Sequence, residues 1–160
     1  MPITPFHFGP GLLLKAASPG RVSLTAFIAA NVVIDIESGV NLVAGRYPVH
    51  GPLHTFLASS VAGLVVGALV FGVAGRLGWT RRWPGETAKR PALLGGWLGG
   101  ASHVLLDGVM HRDIRPFLPF TDANPLLRVV DLSTLHLFCV ATGVLGLAWI
   151  AARYARRDAA

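Results

Sequence analysis

Residues Thr55 to Gly75 read TFLASSVAGLVVGALVFGVAG, a stretch of 21 residues that contains no charged side chain. At a rise of 1.5 Å per residue, a helix of this length crosses the roughly 30 Å hydrocarbon core of a membrane. Leu132 to Ala152 is a second stretch of that length without Asp, Glu, Lys or Arg. A third, Pro91 to Leu106, reaches spanning length if it continues to Met110. Three such stretches predict an integral membrane protein.

Composition agrees with this interpretation. The chain of 160 residues is 52% hydrophobic and 14% charged, and its mean hydropathy is +0.56. A soluble all-α protein with buried core helices is the alternative. A chain this small has too little other structure to cover three apolar helices on all sides, so we expect the membrane.

The hydrophobic runs, separated by Gly and Pro, predict a single membrane-embedded domain over residues 1–160. Its fold class is all-α, an integral membrane helical bundle of about five helices. The predicted helices are Pro5 to Ala17, Val22 to Glu37, Leu53 to Gly75, Pro91 to Met110 and Leu132 to Arg153. The first two are short and flank the turn Ser18-Pro19-Gly20, which predicts a hairpin that enters from one face and returns to it.

Basic residues concentrate at one end of this predicted bundle. Ten of the 14 lie there: Lys15, Arg21, Arg76, Arg81, Arg82, Lys89, Arg90, Arg153, Arg156 and Arg157. By the positive-inside rule this basic end faces the cytoplasm, together with the C-terminus of a multi-pass protein of the inner membrane. The opposite end, called the outer end below, then faces outward. Because topology explains the net charge of +6, we expect membrane lipids and no nucleic acid as partners.

Small residues recur every four positions in two of the predicted helices. Ser59, Gly63 and Gly67 form one such row, and Gly95 with Gly99 and Gly96 with Gly100 form two more. In membranes this spacing lets helix backbones approach closely, which predicts a tightly packed bundle.

Histidines and carboxylates gather at the outer end. His103 and Asp107 are one helical turn apart, so both project from one face and either hold one ion or simply satisfy each other. His54 opens the third predicted helix, whereas His50 lies in the loop before Pro52. Asp35 and Glu37 end the second predicted helix. Together with His7 at the start of the first helix, these groups form a mixed nitrogen and oxygen ligand set suited to Zn²⁺, or to Mn²⁺ or Fe²⁺.

The order of five short motifs resembles a family of small bacterial and archaeal membrane proteins, the inner-membrane-associated metal-dependent hydrolases. The motifs are TPFH at 4–7, IDIE at 34–37, HGPLHT at 50–55, SHVLLD at 102–107 and MHRDIRPF at 110–117 followed by Pro119-Phe120. They span most of the chain. Each is short, so the resemblance lies in their succession.

The resemblance implies a membrane-bound hydrolase that acts on a lipid, lipid-linked or phosphoester-type substrate at the outer membrane interface. Glu37 or His50 would act as general base, and Arg46, Arg112 and Arg115 lie near the expected mouth of the site. The implied ligands of the divalent ion are His7, Asp35, His54, His103 and Asp107.

Two other functions fit the same residues. Histidines and carboxylates inside membranes also line paths for metal ions or protons, but a carrier needs polar residues that continue toward the basic end. There the helices are rich in Gly, Ala, Val and Leu. The other alternative is a non-catalytic membrane scaffold whose polar groups lock the helices together.

Overall fold

A computed structural model describes residues 5–79 and 84–158. Arg81 and Arg82 of the predicted basic end, and Thr4 of the first motif, lie outside these described residues. Within them the chain is all-helical and has no β-strand. Two short 3-10 helices, Pro5–His7 and Pro52–His54, precede the first and third α-helices. The six α-helices are α1 Phe8–Ala17, α2 Leu24–Val43, α3 Phe56–Arg76, α4 Pro84–Thr87, α5 Lys89–Met110 and α6 Leu132–Asp158.

Three of the described helices are long and apolar enough to span a membrane: α2, α3, and α6 over Leu132–Arg156. Large apolar side chains cover their outward faces, such as Leu69 on α3 and Leu137 on α6, which are 61% and 67% exposed. A soluble protein rarely exposes so much contiguous apolar surface, so the chain associates with a membrane. The helices predicted over residues 55–75 and 132–152 are both present, and both are candidate spans.

Helix α2, which was predicted only as a short arm of the hairpin, is the third candidate span, and α5 is not among the three. Helix α5 forms as predicted, but 12 of its 22 residues are buried between its neighbours. A helix enclosed by other helices does not need a lipid-facing surface. Helix α5 can therefore carry buried polar side chains, which the lipid-facing side of a helix could not.

The predicted end of α2 at Glu37 was wrong, since the helix continues to Val43. Gly39 was interpreted as a stop signal, but a single glycine inside a helix is tolerated. The helix ends at Gly45, whose φ of +63° gives the left-handed turn that commonly closes a helix. Asp35 and Glu37 thus lie inside α2, and the predicted hairpin joins one short helix to one 20-residue helix.

Helix α5 is central, with α3 on one side and α2 on the other. A Cβ atom at Gly63 of α3 would collide with the backbone of Gly96, and one at Gly99 of α5 would collide with the backbone of Phe27. These contacts confirm the close helix approach predicted from the small-residue rows. Further contacts of this kind, at Gly67 with Ala92 and at Gly95 with Ser23, show that α3 is antiparallel and α2 parallel to α5.

Helix α1 runs parallel to α6, and its far end is fixed at the basic end of the bundle. There Lys15 forms an ion pair with Glu86 and donates hydrogen bonds of 3.0 Å to the carbonyls of Val22 and Gly85. With these directions, the starts of α1, α3 and α6 meet the C-terminal halves of α2 and α5 at the outer end. All the predicted site residues therefore converge there.

Candidate metal centre

Asp107, near the end of α5, is the centre of a buried cluster of histidines. Its side chain is 3% exposed, and each of its oxygens faces two imidazole nitrogens. Oδ1 lies 3.0 Å from His7 Nε2 and 3.9 Å from His111 Nε2. Oδ2 lies 3.3 Å from His103 Nε2 and 3.8 Å from His54 Nε2. One carboxylate therefore meets four histidines from three parts of the chain, the two 3-10 helices and the end of α5.

Asp35 reaches the same cluster from α2, where its Oδ1 lies 3.4 Å from His103 Nε2. The potential ligand atoms of Asp35, His54, His103 and Asp107 all lie within 4.8 Å of one another, and all four residues are buried. This His/Asp group is compatible with a divalent metal ion. His7 contacts it through Asp107 but is not part of that mutual set, so the five predicted ligands converge without being equivalent.

The hydrogen bond between Asn31 and His103 fixes which nitrogen of His103 faces the carboxylates. Asn31 Nδ2 donates to the carbonyls of Phe27 at 2.9 Å and Gly99 at 3.3 Å, so its Oδ1 is the atom left for His103 Nδ1, 3.1 Å away. An amide oxygen only accepts, and Nδ1 must therefore carry the proton. In the neutral ring, Nε2 then directs a lone pair at two carboxylates, an arrangement that a bound cation stabilises.

Several buried polar atoms of the cluster have no hydrogen-bond partner among the described residues. Buried polar atoms nearly always have a hydrogen-bond partner, so several unpaired atoms at one place indicate a ligand-binding site. Nitrogen lone pairs and carboxylate oxygens are the donors that Zn²⁺, Mn²⁺ and Fe²⁺ accept. The orphaned atoms are His7 Nδ1 and Nε2, His54 Nδ1 and Nε2, His103 Nε2 and Asp107 Oδ1.

Glu37 lies next to Nδ1 of His54, the ring nitrogen that faces away from Asp107. Its Oε2 accepts a hydrogen bond of 2.9 Å from the backbone N–H of Leu53 and lies 3.5 Å from His54 Nδ1. A carboxylate behind a histidine commonly orients the ring of a metal ligand. Burial is the largest of the causes that lower the pKa of His54 to about 3, so its ring is neutral near pH 7 and has a lone pair available for a metal ion.

His50 lies in the loop before the turn Pro52–His54, as predicted, and pairs with Asp113. Asp113 Oδ1 lies 2.9 Å from His50 Nδ1, while Oδ2 accepts the backbone N–H groups of Val49 and His50 at 2.9 and 3.1 Å. Burial by itself would raise the pKa of Asp113, but the hydrogen bonds from His50 outweigh it and hold the pKa below its usual value. The ionised carboxylate keeps the proton on Nδ1 and leaves the Nε2 lone pair free.

Two surface cavities meet at this His50–Asp113 pair. The first, of about 450 Å³, is lined by apolar side chains such as Leu57 and Leu118, and by Arg115. The second, of about 460 Å³, is lined by Tyr47, Arg112 and His111 in addition to the pair. Both lie at the outer end, beside the buried cluster.

Sequence reasoning gave no role to Asn31, and only included His111 and Asp113 in a motif. Asn31 had a detectable signal, because it lies one turn before Asp35 on an otherwise apolar helix. Asp113 had none, since its partner His50 is 63 positions away and belongs to another loop.

Replacing Asn31 with alanine should lower metal affinity about 10- to 100-fold, the usual loss when the partner of a ligating histidine is removed. The reason is that His103 loses the acceptor that fixes its ring and tautomer. Competition with a fluorescent chelator measures the affinity. Asn41→Ala, on the same helix but bonded to the Val49 carbonyl, is the matched control and should bind like the parent.

Comparisons of the chain with protein-family models, with curated proteins and with solved structures found no match. The family resemblance noted from the motifs therefore stays a prediction. Function has to be argued from the geometry of the cluster.

Proposed function

We propose that the protein is a membrane-embedded, metal-dependent hydrolase of the family that its motifs resemble. The observation that carries the proposal is the position of His103 Nε2, which lies 3.4 Å from Asp35 and 3.3 Å from Asp107 in a buried cluster of polar atoms without hydrogen-bond partners among the described residues. Asp35, His54, His103 and Asp107 would hold the ion. When bound there, a divalent cation supplies a Lewis acid and an activated water nucleophile.

His50 is a better general base than Glu37. Glu37 is engaged by the Leu53 N–H and lies against the back of His54, which suits a positioning role. His50 has its Nδ1 proton fixed by Asp113 and so keeps a basic Nε2, the arrangement that serves proton transfer in many hydrolases. It also borders both cavities.

The cavities suit an amphiphilic phosphoester, such as a lipid or a lipid-linked molecule. The first combines apolar walls with Arg115, and the second places Arg112 near His111. Arginine is well matched to phosphate oxygens, and apolar walls at a membrane surface suit an acyl or isoprenoid chain. In the proposed orientation the basic end is cytoplasmic and the site faces outward.

The proposed reaction is a hydrolysis. The oxygen of a water molecule forms a bond to phosphorus, and the proton it loses passes to His50 Nε2. The bond between phosphorus and the ester oxygen then breaks, and the leaving alcohol takes up a proton. His50 can return that proton, so no further reactant is needed.

A carrier is less well supported than a hydrolase. Between the cluster and the basic end, α5 contacts α3 and α2 backbone to backbone, at Gly63 with Gly96 and at Gly99 with Phe27. Such contacts leave no room for an ion path. A scaffold is also disfavoured, because polar groups that only lock helices together would pair with one another instead of leaving orphaned atoms.

Elemental analysis of detergent-purified protein, before and after reconstitution with Zn²⁺, Mn²⁺ or Fe²⁺, tests the proposal. At least about one ion per chain is expected in the parent, together with hydrolysis of an alkyl nitrophenyl phosphodiester in micelles. His103→Ala should lose both while still eluting as a folded species. A parent that binds no ion under any of these conditions would sink the hydrolase proposal.

Replacing His50 with alanine should reduce hydrolysis by about 10²- to 10⁴-fold, because the proton acceptor is lost. Metal content should stay at the parental level, since His50 is not a ligand of the Asp35, His54, His103 and Asp107 group. The release of nitrophenol and elemental analysis measure the two quantities. His136→Ala is the matched control, because that ring stacks on Phe6 and is not one of the four histidines that face Asp107. Equal loss in both variants would contradict a role for His50.

A further inference from the structure

The two oxygens of Asp107 face different pairs of histidines. Oδ2 faces His54 and His103, and Oδ1 faces His7 and His111. A carboxylate with donors gathered separately on each oxygen has the arrangement of a bridging ligand. The ion of the proposed function would bind on the Oδ2 side, and it gives no partner to the atoms on the Oδ1 side.

The Oδ1 side contains two buried polar atoms that this first ion does not explain. His7 Nε2 and Asp107 Oδ1 lie 3.0 Å apart, and both are buried without a well-formed hydrogen bond to any described residue. An ion on the Oδ2 side would not supply a partner for either atom. Leaving both unpaired in a buried site would cost free energy.

We propose that a second divalent cation binds on this side, held by Asp107 Oδ1, His7 Nε2 and His111 Nε2, with Asp107 bridging the two ions. The inference rests on the proposed function and deepens it. His50, His111 and Asp113 also form a group with suitable spacing, but both oxygens of Asp113 already accept hydrogen bonds. Asp113 is therefore a positioning residue for His50, and His111 is the ligand.

A second ion narrows the substrate class. His111 is partly exposed and borders the cavity that also contains His50 and Arg112, so this half of the centre lies nearer the surface than the Asp35 half. Paired ions stabilise both the attacking and the leaving oxygen of a displacement at phosphorus. The centre thus favours phosphoesters over carboxylic esters.

Reconstitution of the full-length protein with Mn²⁺ tests the inference, because coupled manganese pairs and single ions give different electron paramagnetic resonance spectra. The parent should bind about two Mn²⁺ per chain and give an exchange-coupled spectrum. His111→Ala should bind about one and give the six-line spectrum of an isolated ion. His136→Ala, the control, should retain the parental spectrum and metal content.

Each outcome decides between the two proposals. A parent with about one uncoupled ion, unchanged in His111→Ala, would overturn the second site and leave the hydrolase proposal standing. A parent with no ion would overturn both. Should His111→Ala fail to fold, His7→Ala replaces it, and the coupled or uncoupled spectrum of the parent still gives a result that depends on no variant.

Discussion

Replacing Asp107 with asparagine is expected to abolish metal binding and to reduce hydrolysis to the background rate. The substitution keeps the shape of the side chain but removes the negative charge that four imidazole nitrogens face at 3.0 to 3.9 Å. Removing a residue that only orients a metal ligand commonly lowers metal affinity about 10- to 100-fold. Asp107 is itself the shared ligand, so its replacement should lower metal affinity more than about 100-fold. Elemental analysis and chelator competition measure the change.

Thermal unfolding separates this outcome from a purely structural role for Asp107. In the presence of a chelator, Asp107→Asn should unfold at or above the temperature of the parent, because a buried carboxylate without a cation is costly. Added metal should stabilise the parent alone. The scaffold alternative predicts a less stable variant in both conditions. Asp131→Asn is the matched control, since the exposed Asp131 caps the start of α6 through Thr134 and asparagine caps equally well.

Helices α3 and α6 could be predicted from the sequence because each is marked by a long uncharged stretch, whereas the four-residue α4 was not predicted. The end of α2 could not, since Gly39 and Gly45 are equally plausible stop signals in the sequence. Only the closing hydrogen bonds, such as the one from Arg46 N–H to the Asn41 carbonyl, distinguish Gly45. The length of α2 was missed for the same reason, because a helix that stops at Glu37 is too short to be a candidate span and one that continues to Val43 is not.

The sequence predicted which residues form the site better than it predicted how those residues are arranged. The alternation of helix directions brings His7, Asp35, His54, His103 and Asp107 to one end, and this follows from the order of the spans. The pairing of His50 with Asp113 does not, because two irregular loops determine it. Nor could the sequence indicate that Asp107 presents its two oxygens to different histidines, which depends on the side-chain orientation at the end of α5.

Replacing Gly63 with leucine is expected to destabilise the protein by about 3 kcal/mol, at the upper end of the cost of overpacking a close contact. Even a Cβ at this position would collide with the carbonyl of Gly96 and press on the backbone of Trp97, which cannot move without displacing α5. Unfolding in a titration with sodium dodecyl sulfate measures the loss.

The same change should also weaken metal binding, although Gly63 lies more than two turns from the cluster. His54 ends the 3-10 helix that directly precedes α3, so forcing α3 away from α5 separates His54 from His103 and Asp107. Gly72→Leu is the matched control, because a Cβ at Gly72 of the same helix meets no atom within 4 Å. It should retain both stability and metal. If Gly63→Leu lost stability but kept full metal affinity, the α3–α5 contact would stabilise the bundle without positioning the site.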